Sequence, residues 1–456
     1  MNISIVGTGY VGLVSGVCLA EQGHDVICVD VDASKVERIN AAIPPIHENG
    51  LAELLAKACG GNFRATTDLR TAVMGSELSM VAVGTPFDGE EIDLQYIRAA
   101  AWQIGQILRD KTSYHVVVVK STVVPGTTTD VVLPLLEEAS GKKAGADFGV
   151  GMNPEFLREG EAVQDFLLPD RIVIGGIDKR TLDVIASIYQ PFEGVDILRT
   201  DPRTAEMIKY TANSLLATMI SFSNEIGKLC AAVPEVDATE VMRGVHLDKR
   251  LSPILPNGSR VIPSFTTYLE AGCGFGGSCF PKDVKALIAH GHKLGLAMDL
   301  LDSVIRVNDA QPQCMLDLLG RHFPDLRDLP VAVLGVAFKP GTDDIRESPA
   351  LPVIHGLLEG GAHVSAFDPI ARREAEKHFG KNAVRFADSL EEAVTGTMAV
   401  LLITRWPEFD KLPQLLAAME DAPLFIDGRR AIPRHAVPRY EGIGIGPAER
   451  PAHPLP

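Results

Sequence analysis

The opening stretch of the chain constrains the fold more than any other. Asn2 to Val6 reads as a short apolar strand, Gly7-Thr8-Gly9-Tyr10-Val11-Gly12 follows, and an apolar-periodic helix runs from there to about Gln22. Gly23 ends that helix, Val26 to Val29 make a second strand, and Asp30 closes it. Strand, glycine turn, helix, strand and acid together make a dinucleotide-binding βαβ unit. Gly7 permits the tight turn, Gly9 lets the backbone approach a pyrophosphate, and Gly12 lets the helix pack on the strand. Tyr10 and Val11 open the helix whose N-terminus faces the phosphates. Asp30 would bind a ribose 2′-hydroxyl and repel a 2′-phosphate, which favours NAD over NADP.

The alternation continues. Leu78 to Val83, His115 to Val119, Phe148 to Met152 and Arg171 to Ile174 read as strands of a doubly wound parallel sheet. Ligands bind beyond the carboxyl ends of such strands, where Thr85, Thr122 and Glu155 stand. From Thr204 to about Val233 the pattern is helical without turn signals, long enough for a central or dimerisation helix. Lys209 and Asn213 lie four apart on it and share a face. Residues 253–266 are rich in Pro, Ser, Asn and Gly and read as a loop. Strands at Val331 to Gly335, His363 to Phe367, Ala399 to Ile403 and Leu424 to Asp427 make a second α/β unit that lacks the glycine fingerprint. The expected architecture is α/β: two Rossmann-like doubly wound domains joined by a long central helix. The boundaries read 1–202, 203–317 and 318–446, with a disordered tail at 447–456.

The 456 residues carry a net charge of −16, which argues against nucleic acid or an anionic membrane as partner. No apolar run is long enough to span a bilayer, and the N-terminus reads as a strand of the fold rather than a signal peptide. The seven cysteines form no Cys-x-x-Cys pair, which suggests a reducing compartment and a cytoplasmic protein. The histidines show no metal-ligand grouping; His290 and His292 read as surface positions of a helix, and no metal is expected.

One cysteine stands apart. Gly274-Phe275-Gly276-Gly277-Ser278-Cys279-Phe280-Pro281-Lys282-Asp283 is a glycine-rich run that delivers a thiol to the start of a helix, with Pro281 suited to the first helical position. Unpaired N–H groups and the helix dipole favour a thiolate there. Asp283, four residues on, shares its helical face. A thiolate with a neighbouring carboxylate points to covalent chemistry with proton transfer, although most lone cysteines are small core residues.

Several motifs occur in a fixed order: the glycine turn, Lys120-Ser121-Thr122, Asn153 to Glu159, Lys209 with Asn213, Gly274 to Asp283, Phe338-Lys339 and Asp427-Gly428-Arg429-Arg430. In this the chain resembles the UDP-glucose/GDP-mannose dehydrogenase family over residues 1–446. The resemblance implies oxidation of a nucleotide-sugar C6 alcohol to a carboxylate in two NAD-dependent steps. Cys279 would be the nucleophile, Lys209 and Asn213 would stabilise oxyanions, Asp283 would assist as a base, and Thr122 and Glu155 would position or activate water. It adds cofactor contacts at Lys35, Thr85, Thr122, Glu159, Lys282 and Arg346. It places substrate contacts at Glu155, Phe156, Leu157, Arg250, Tyr268, Leu269, Gly274, Phe275, Gly276, Phe338, Lys339 and Arg429, and a homodimer or higher homo-oligomer. Phe280 stands where the GDP-mannose branch usually has Leu, which favours UDP-glucose. The longer connection from Pro253 to Thr267 departs from the UDP-glucose pattern and leaves GDP-mannose, then UDP-N-acetylhexosamines, as alternatives. An NAD-binding regulatory protein and a two-electron alcohol dehydrogenase are the other classes. Only the latter would release one NADH per sugar.

Overall fold

The computed structural model describes all residues except Lys381 and 448–456. The expectation of a disordered tail therefore falls, beyond Pro447, outside the described residues. The chain divides into two compact units, Met1–Ala212 and the remainder from Asn213.

The first unit holds eight strands: β1 (Asn2–Val6), β2 (Asp25–Val29), β3 (Phe63–Thr66), β4 (Leu78–Val81), β5 (His115–Val119), β6 (Phe148–Met152), β7 (Ile172–Gly176) and β8 (Ile197–Thr200). They lie in the order β3-β2-β1-β4-β5-β6-β7-β8. The strand β5 shows why an unbroken run of valines forms here. Val116 and Val118 face one core with Ile3, Ile5, Leu13 and Val17, while Val117 and Val119 face another with Ile97 and Ile104. Both faces are covered, as parallel strands require. The expectation of an all-parallel sheet needs one correction: β6 and β7 pair antiparallel through Gly151–Gly176 and Met152–Gly175, and β7 with β8 is parallel again. Trp102 lies on the helix Gln95–Leu108 of this unit and is 37% exposed.

The second unit holds β9 (Pro330–Leu334), β10 (His363–Phe367), β11 (Arg385–Phe386), β12 (Ala399–Leu402), β13 (Leu424–Asp427) and β14 (Tyr440–Gly442). Their order is β11-β10-β9-β12-β13-β14, and every neighbouring pair is parallel. The same two-faced burial recurs in β9: Val331 and Val333 enter one core, Ala332 and Leu334 the other. A continuous helix, Pro202–Ala232, carries the chain from the first unit into the second. Residues 253–267 are more ordered than their composition suggests. Ile254 and Arg260 form an antiparallel bridge, Arg260 Nη1 donates to the carbonyls of Leu247 and Ser252 at 2.8 Å each, and Ser264–Tyr268 is a 3₁₀ turn. Among the described residues, no helix is long and apolar enough to cross a membrane.

Candidate active site

The glycine turn of the first unit is built by steric necessity. Gly7 has φ +103°, and a Cβ on it would lie 2.6 Å from the Ala82 carbonyl oxygen; on Gly12 it would lie 1.9 Å from the Gly7 oxygen. Gly9 is different, since a Cβ there would meet nothing within 4 Å. That open flank lies beside the N-terminus of the helix Tyr10–Glu21, whose first amides have no intrahelical acceptor; it leaves room for a pyrophosphate, and the residues present fit a dinucleotide. Asp30 closes β2 and remains half-buried. Its Oδ2 accepts from the Thr8 amide at 2.9 Å and the Thr8 hydroxyl at 2.5 Å, and its Oδ1 from the Asp32 amide at 3.0 Å. Burial pushes the Asp30 carboxyl up, but these donors and the Lys35 charge outweigh it and hold it below the usual range. Lys35 lies half-buried in the first turn of the helix Ala33–Asn40, its amide donating to Asp32 Oδ1 at 3.3 Å. Thr85 follows β4 and donates its hydroxyl to the Thr122 carbonyl at 2.8 Å, which ties the ends of β4 and β5 together.

Beyond β6 the chain forms a loop from Asn153 to Gly160. Glu155 and Lys209 meet there at 3.0 Å, with side chains only 7% and 4% exposed. Glu155 Oε2 also accepts from the Leu157 amide at 2.7 Å. Burial drives the Glu155 carboxyl up; the Lys209 charge and hydrogen bond, the Leu157 amide and the Lys120 charge prevail and hold it below the usual range. The Lys209 ammonium lies 5.5 Å from the centre of the Phe156 ring, and Arg171 stacks on that ring at 4.0 Å. The sequence reading named Lys120-Ser121-Thr122 but assigned a role only to Thr122. Lys120 is itself buried and donates to Asn153 Oδ1 at 3.0 Å. Burial pushes its ammonium down to about 8, with Lys209 acting in the same direction and Glu155 against it. Nothing in its sequence context distinguishes it from a surface lysine, because burial is not written in a three-residue motif. Glu159 lies half-buried further along the loop.

In the second unit, Cys279 is the residue immediately before the helix Phe280–Lys293, so Phe280 is its first residue and Pro281 its second, one place later than the sequence suggests. Both positions tolerate proline because neither amide has an intrahelical acceptor. The Asp283 amide donates to the Cys279 carbonyl at 2.8 Å, which begins the helix at the cysteine. The Asp283 side chain is buried, and both its oxygens are engaged: Oδ2 accepts from Asn213 Nδ2 at 2.6 Å and Oδ1 from Lys282 Nζ at 2.6 Å. Lys282, expected at the cofactor, is thus paired with Asp283. The loop before the cysteine is pinned by a residue the sequence reading missed. Asn308 Oδ1 accepts from the Phe275 amide at 2.8 Å and its Nδ2 donates to the Phe275 carbonyl at 3.1 Å. Gly274 and Gly277 have φ +97° and +85°, and a Cβ on Gly276 would lie 2.2 Å from the Glu347 carbonyl. Phe280 packs between Phe275 and Tyr268, with ring centres 6.0 and 6.3 Å away; Leu269 is buried beside them in sequence.

The basic residues expected at the nucleotide sugar (Lys339, Arg429, Arg250) and at the cofactor (Arg346) fall into two sets. Lys339 lies 5.9 Å from the Phe338 ring centre, and that ring covers Gly277. Arg429 Nε donates to the Ile403 carbonyl at 2.7 Å, which fixes its stem just past β12 and β13. Arg250 and Arg346 instead lie on their own loops: Arg250 Nε donates to both oxygens of Asp248 at 3.1 Å, and Arg346 Nε to both oxygens of Asp344 at 2.9 and 3.0 Å. Arg430, the third residue after β13, forms a two-pronged pair with Asp237 at 2.9 and 2.7 Å.

Comparison with known proteins bears on the whole chain. Residues 1–193 match the NAD binding domain of the UDP-glucose/GDP-mannose dehydrogenase family, 203–310 its central domain and 332–434 its UDP binding domain. A UDP-glucose 6-dehydrogenase of Haloferax volcanii is 43% identical over 448 residues, covering 97% of this chain and 100% of the relative. A GDP-mannose 6-dehydrogenase of Azotobacter vinelandii is 42% identical over 454 residues, covering 97% and 100%. A UDP-glucose dehydrogenase from Pyrobaculum islandicum has a similar structure, with a TM-score of 0.87 at 40% identity and 97% of each chain covered. The chain belongs to the UDP-glucose/GDP-mannose dehydrogenase family and is an NAD-dependent nucleotide-sugar dehydrogenase.

Proposed function

We propose that the enzyme oxidises the C6 alcohol of UDP-glucose to the carboxylate of UDP-glucuronate, in four electrons and through a thioester on Cys279. The observation that carries this reading is the placement of Cys279 as the residue that caps the N-terminus of the helix Phe280–Lys293, where amide donors and the helix dipole stabilise a thiolate. The bound dinucleotide supplies a hydride acceptor for each of the two oxidations. As the first hydride leaves, the C6 hydroxyl gives its proton to the water that Thr122 and Glu155 position, and Lys209 balances the negative charge on that oxygen. The Cys279 sulfur then adds to the aldehyde carbon, and the oxygen gains the charge that Lys209 and Asn213 balance. Loss of the second hydride from that carbon turns the thiohemiacetal into a thioester. Water attacks the thioester, Glu155 accepts its proton, the carbon–sulfur bond breaks, and Cys279 leaves as the thiolate. Asp283, engaged by Asn213 and Lys282, orients Asn213 and balances the charge of Lys282.

Phe280 favours UDP-glucose over GDP-mannose, and the near-equal identity to relatives named for each sugar keeps GDP-mannose as the second reading. A substrate panel decides: UDP-glucose, GDP-mannose and UDP-N-acetylglucosamine compared by kcat/KM, with two NADH per sugar and no free aldehyde expected. One NADH per sugar would contradict the thioester. We also propose a homodimer. Leu215, Phe222 and Leu229 repeat every seven residues on the long helix and are 59%, 53% and 62% exposed, as a self-pairing helix face requires. Sedimentation equilibrium tests it, with Phe222→Asp expected to yield monomers.

A further inference from the structure

The proposed reaction needs Glu155 at a fixed place relative to a bound dinucleotide, and the first unit contains a buried carboxylate that joins the two regions. Glu48 is 6% exposed. Its Oε2 accepts from the Gly160 amide at 2.7 Å and from the Tyr10 hydroxyl, and its Oε1 accepts from the Ala162 amide at 3.0 Å. The Tyr10 hydroxyl also accepts from the Gly160 amide at 3.0 Å. The next residue, Asn49, donates Nδ2 to the Gly160 carbonyl at 2.8 Å. Both polar groups of one residue, Gly160, are therefore held by two successive side chains.

The two ends of this clamp have different duties. Tyr10 is the first residue of the helix on the dinucleotide turn. Gly160, with φ +83°, ends the loop that begins at Asn153 and carries Glu155 and Glu159. That loop is held at its start by Asn153, whose Nδ2 donates to the Val173 carbonyl at 2.8 Å, and in the middle by Glu155 on Lys209. Glu48 fixes its far end. A carboxylate suits this place because every group facing it is a donor; an amide would turn a donor toward one of them.

We propose that Glu48 is a positioning residue that sets the loop Asn153–Gly160 against the dinucleotide turn, so that NAD binding and Glu155-dependent thioester hydrolysis are coupled through Tyr10 and Gly160. The hydrolysis half rests on the reading of Glu155 given above; the cofactor half rests only on the dinucleotide turn. The full-length enzyme is compared with Glu48→Gln and Glu48→Asp in three measurements. These are the NAD Kd by calorimetry without sugar, the KM for NAD and kcat with UDP-glucose, and the thioester on Cys279 by intact mass during turnover. Glu48→Gln is expected to raise the NAD Kd about tenfold and to lower kcat while thioester accumulates, with partial recovery in Glu48→Asp. A purely structural role would lower thermal stability and leave Kd, KM and kcat per folded molecule unchanged, and that result overturns the proposal. Should Glu48→Gln not fold, Asn49→Ala at an exposed position loosens the same loop and is expected to weaken NAD binding about threefold; an unchanged Kd overturns the proposal. If the wild type turns over no nucleotide sugar, the reaction assigned above fails, and the NAD Kd alone decides for or against the clamp.

Discussion

The two sheets answer the same topological problem with different chemistry at the same point. In the first, the Gly7 amide donates to the Val29 carbonyl at 2.7 Å; in the second, the Gly335 amide donates to the Phe367 carbonyl at 2.9 Å. Both glycines have positive φ, and on both a Cβ would strike the carbonyl of the next strand's end, Ala82 or Thr404, at 2.6 or 2.5 Å. In both an aspartate directly follows the second strand. Among the described residues Asp30 accepts from Thr8 and Asp32 and stays half-exposed. Asp368 is buried and accepts from the amides of Val336, Ala337, Ile370 and Ala371 at 2.7 to 3.0 Å and from Trp406 Nε1 at 3.2 Å. The amides that could cradle an anion after β9 are therefore already engaged. The helix that follows starts only at Ala350, against Tyr10 in the first unit. A shared strand order does not make a shared ligand site: the first unit offers open backbone at Gly9, whereas in the second the proposed ligands are side chains, Lys339 and Arg429.

This division can be broken by experiment. The largest effect is expected from Cys279→Ser, a drop in turnover of roughly three to four orders of magnitude, with the NAD Kd unchanged because the dinucleotide belongs to the other unit. A weakened NAD Kd in that variant would undo the separation. Asp368→Ala is expected to cost about 3–4 kcal/mol in denaturant unfolding, since it leaves several buried donors without an acceptor. Asp30→Ala should cost far less in the same assay, and equal losses would show that the two aspartates do the same work.

A pH experiment adds a middle rung. Glu206, buried in the first unit, accepts from the Gly126 amide at 2.6 Å and from the Thr128 amide and hydroxyl at 2.8 and 2.6 Å. Burial outweighs these donors and raises its carboxyl to about 7. The folded state thus keeps a proton that the unfolded chain releases near 4.5, so stability is full below 4.5 and falls as pH rises toward 7. The expected loss is about 2–3 kcal/mol across that window, and it should flatten in Glu206→Gln. The smallest effect is cofactor choice: Asp30→Ala should shift the ratio of kcat/KM for NAD and NADP by about tenfold toward NADP. An unchanged ratio would remove Asp30 from ribose recognition.

What could be read from sequence followed from which constraints are local. The turn at Gly7 to Gly12 was legible because its demands fall on residues close in sequence: Gly7 takes a positive φ, a Cβ on Gly12 would strike the Gly7 oxygen, and Gly9 leaves its flank open. The strands β5, β6 and β13 were read to the residue because every position in them is buried, on both faces of the sheet. By contrast β3, β8, β11 and β14 passed unread: they are short and lie at or near sheet edges, with charged residues such as Arg64, Arg199 and Arg385 in them. Strand direction leaves no trace in periodicity, so the reversal between β6 and β7 was invisible. At the site, residue types and spacing identified Cys279, Asp283, Lys209, Asn213 and Glu155 as candidates. They could not show that Asp283 would be held between Asn213 and Lys282, nor that Lys120 and Glu48 would be buried, because each of those facts depends on side chains distant in sequence.

The bond from Trp406 to Asp368 has an optical consequence. The chain contains two tryptophans, and each unit holds one: Trp406, 5% exposed with its indole N–H on a carboxylate, and Trp102, 37% exposed on a helix of the first sheet. A shielded indole emits at shorter wavelength than a wetted one, so fluorescence at two wavelengths follows the two units separately in a single unlabelled sample. Replacing either tryptophan by phenylalanine leaves a one-colour protein in which the melting of the remaining unit, and its response to NAD or to a nucleotide sugar, can be watched alone.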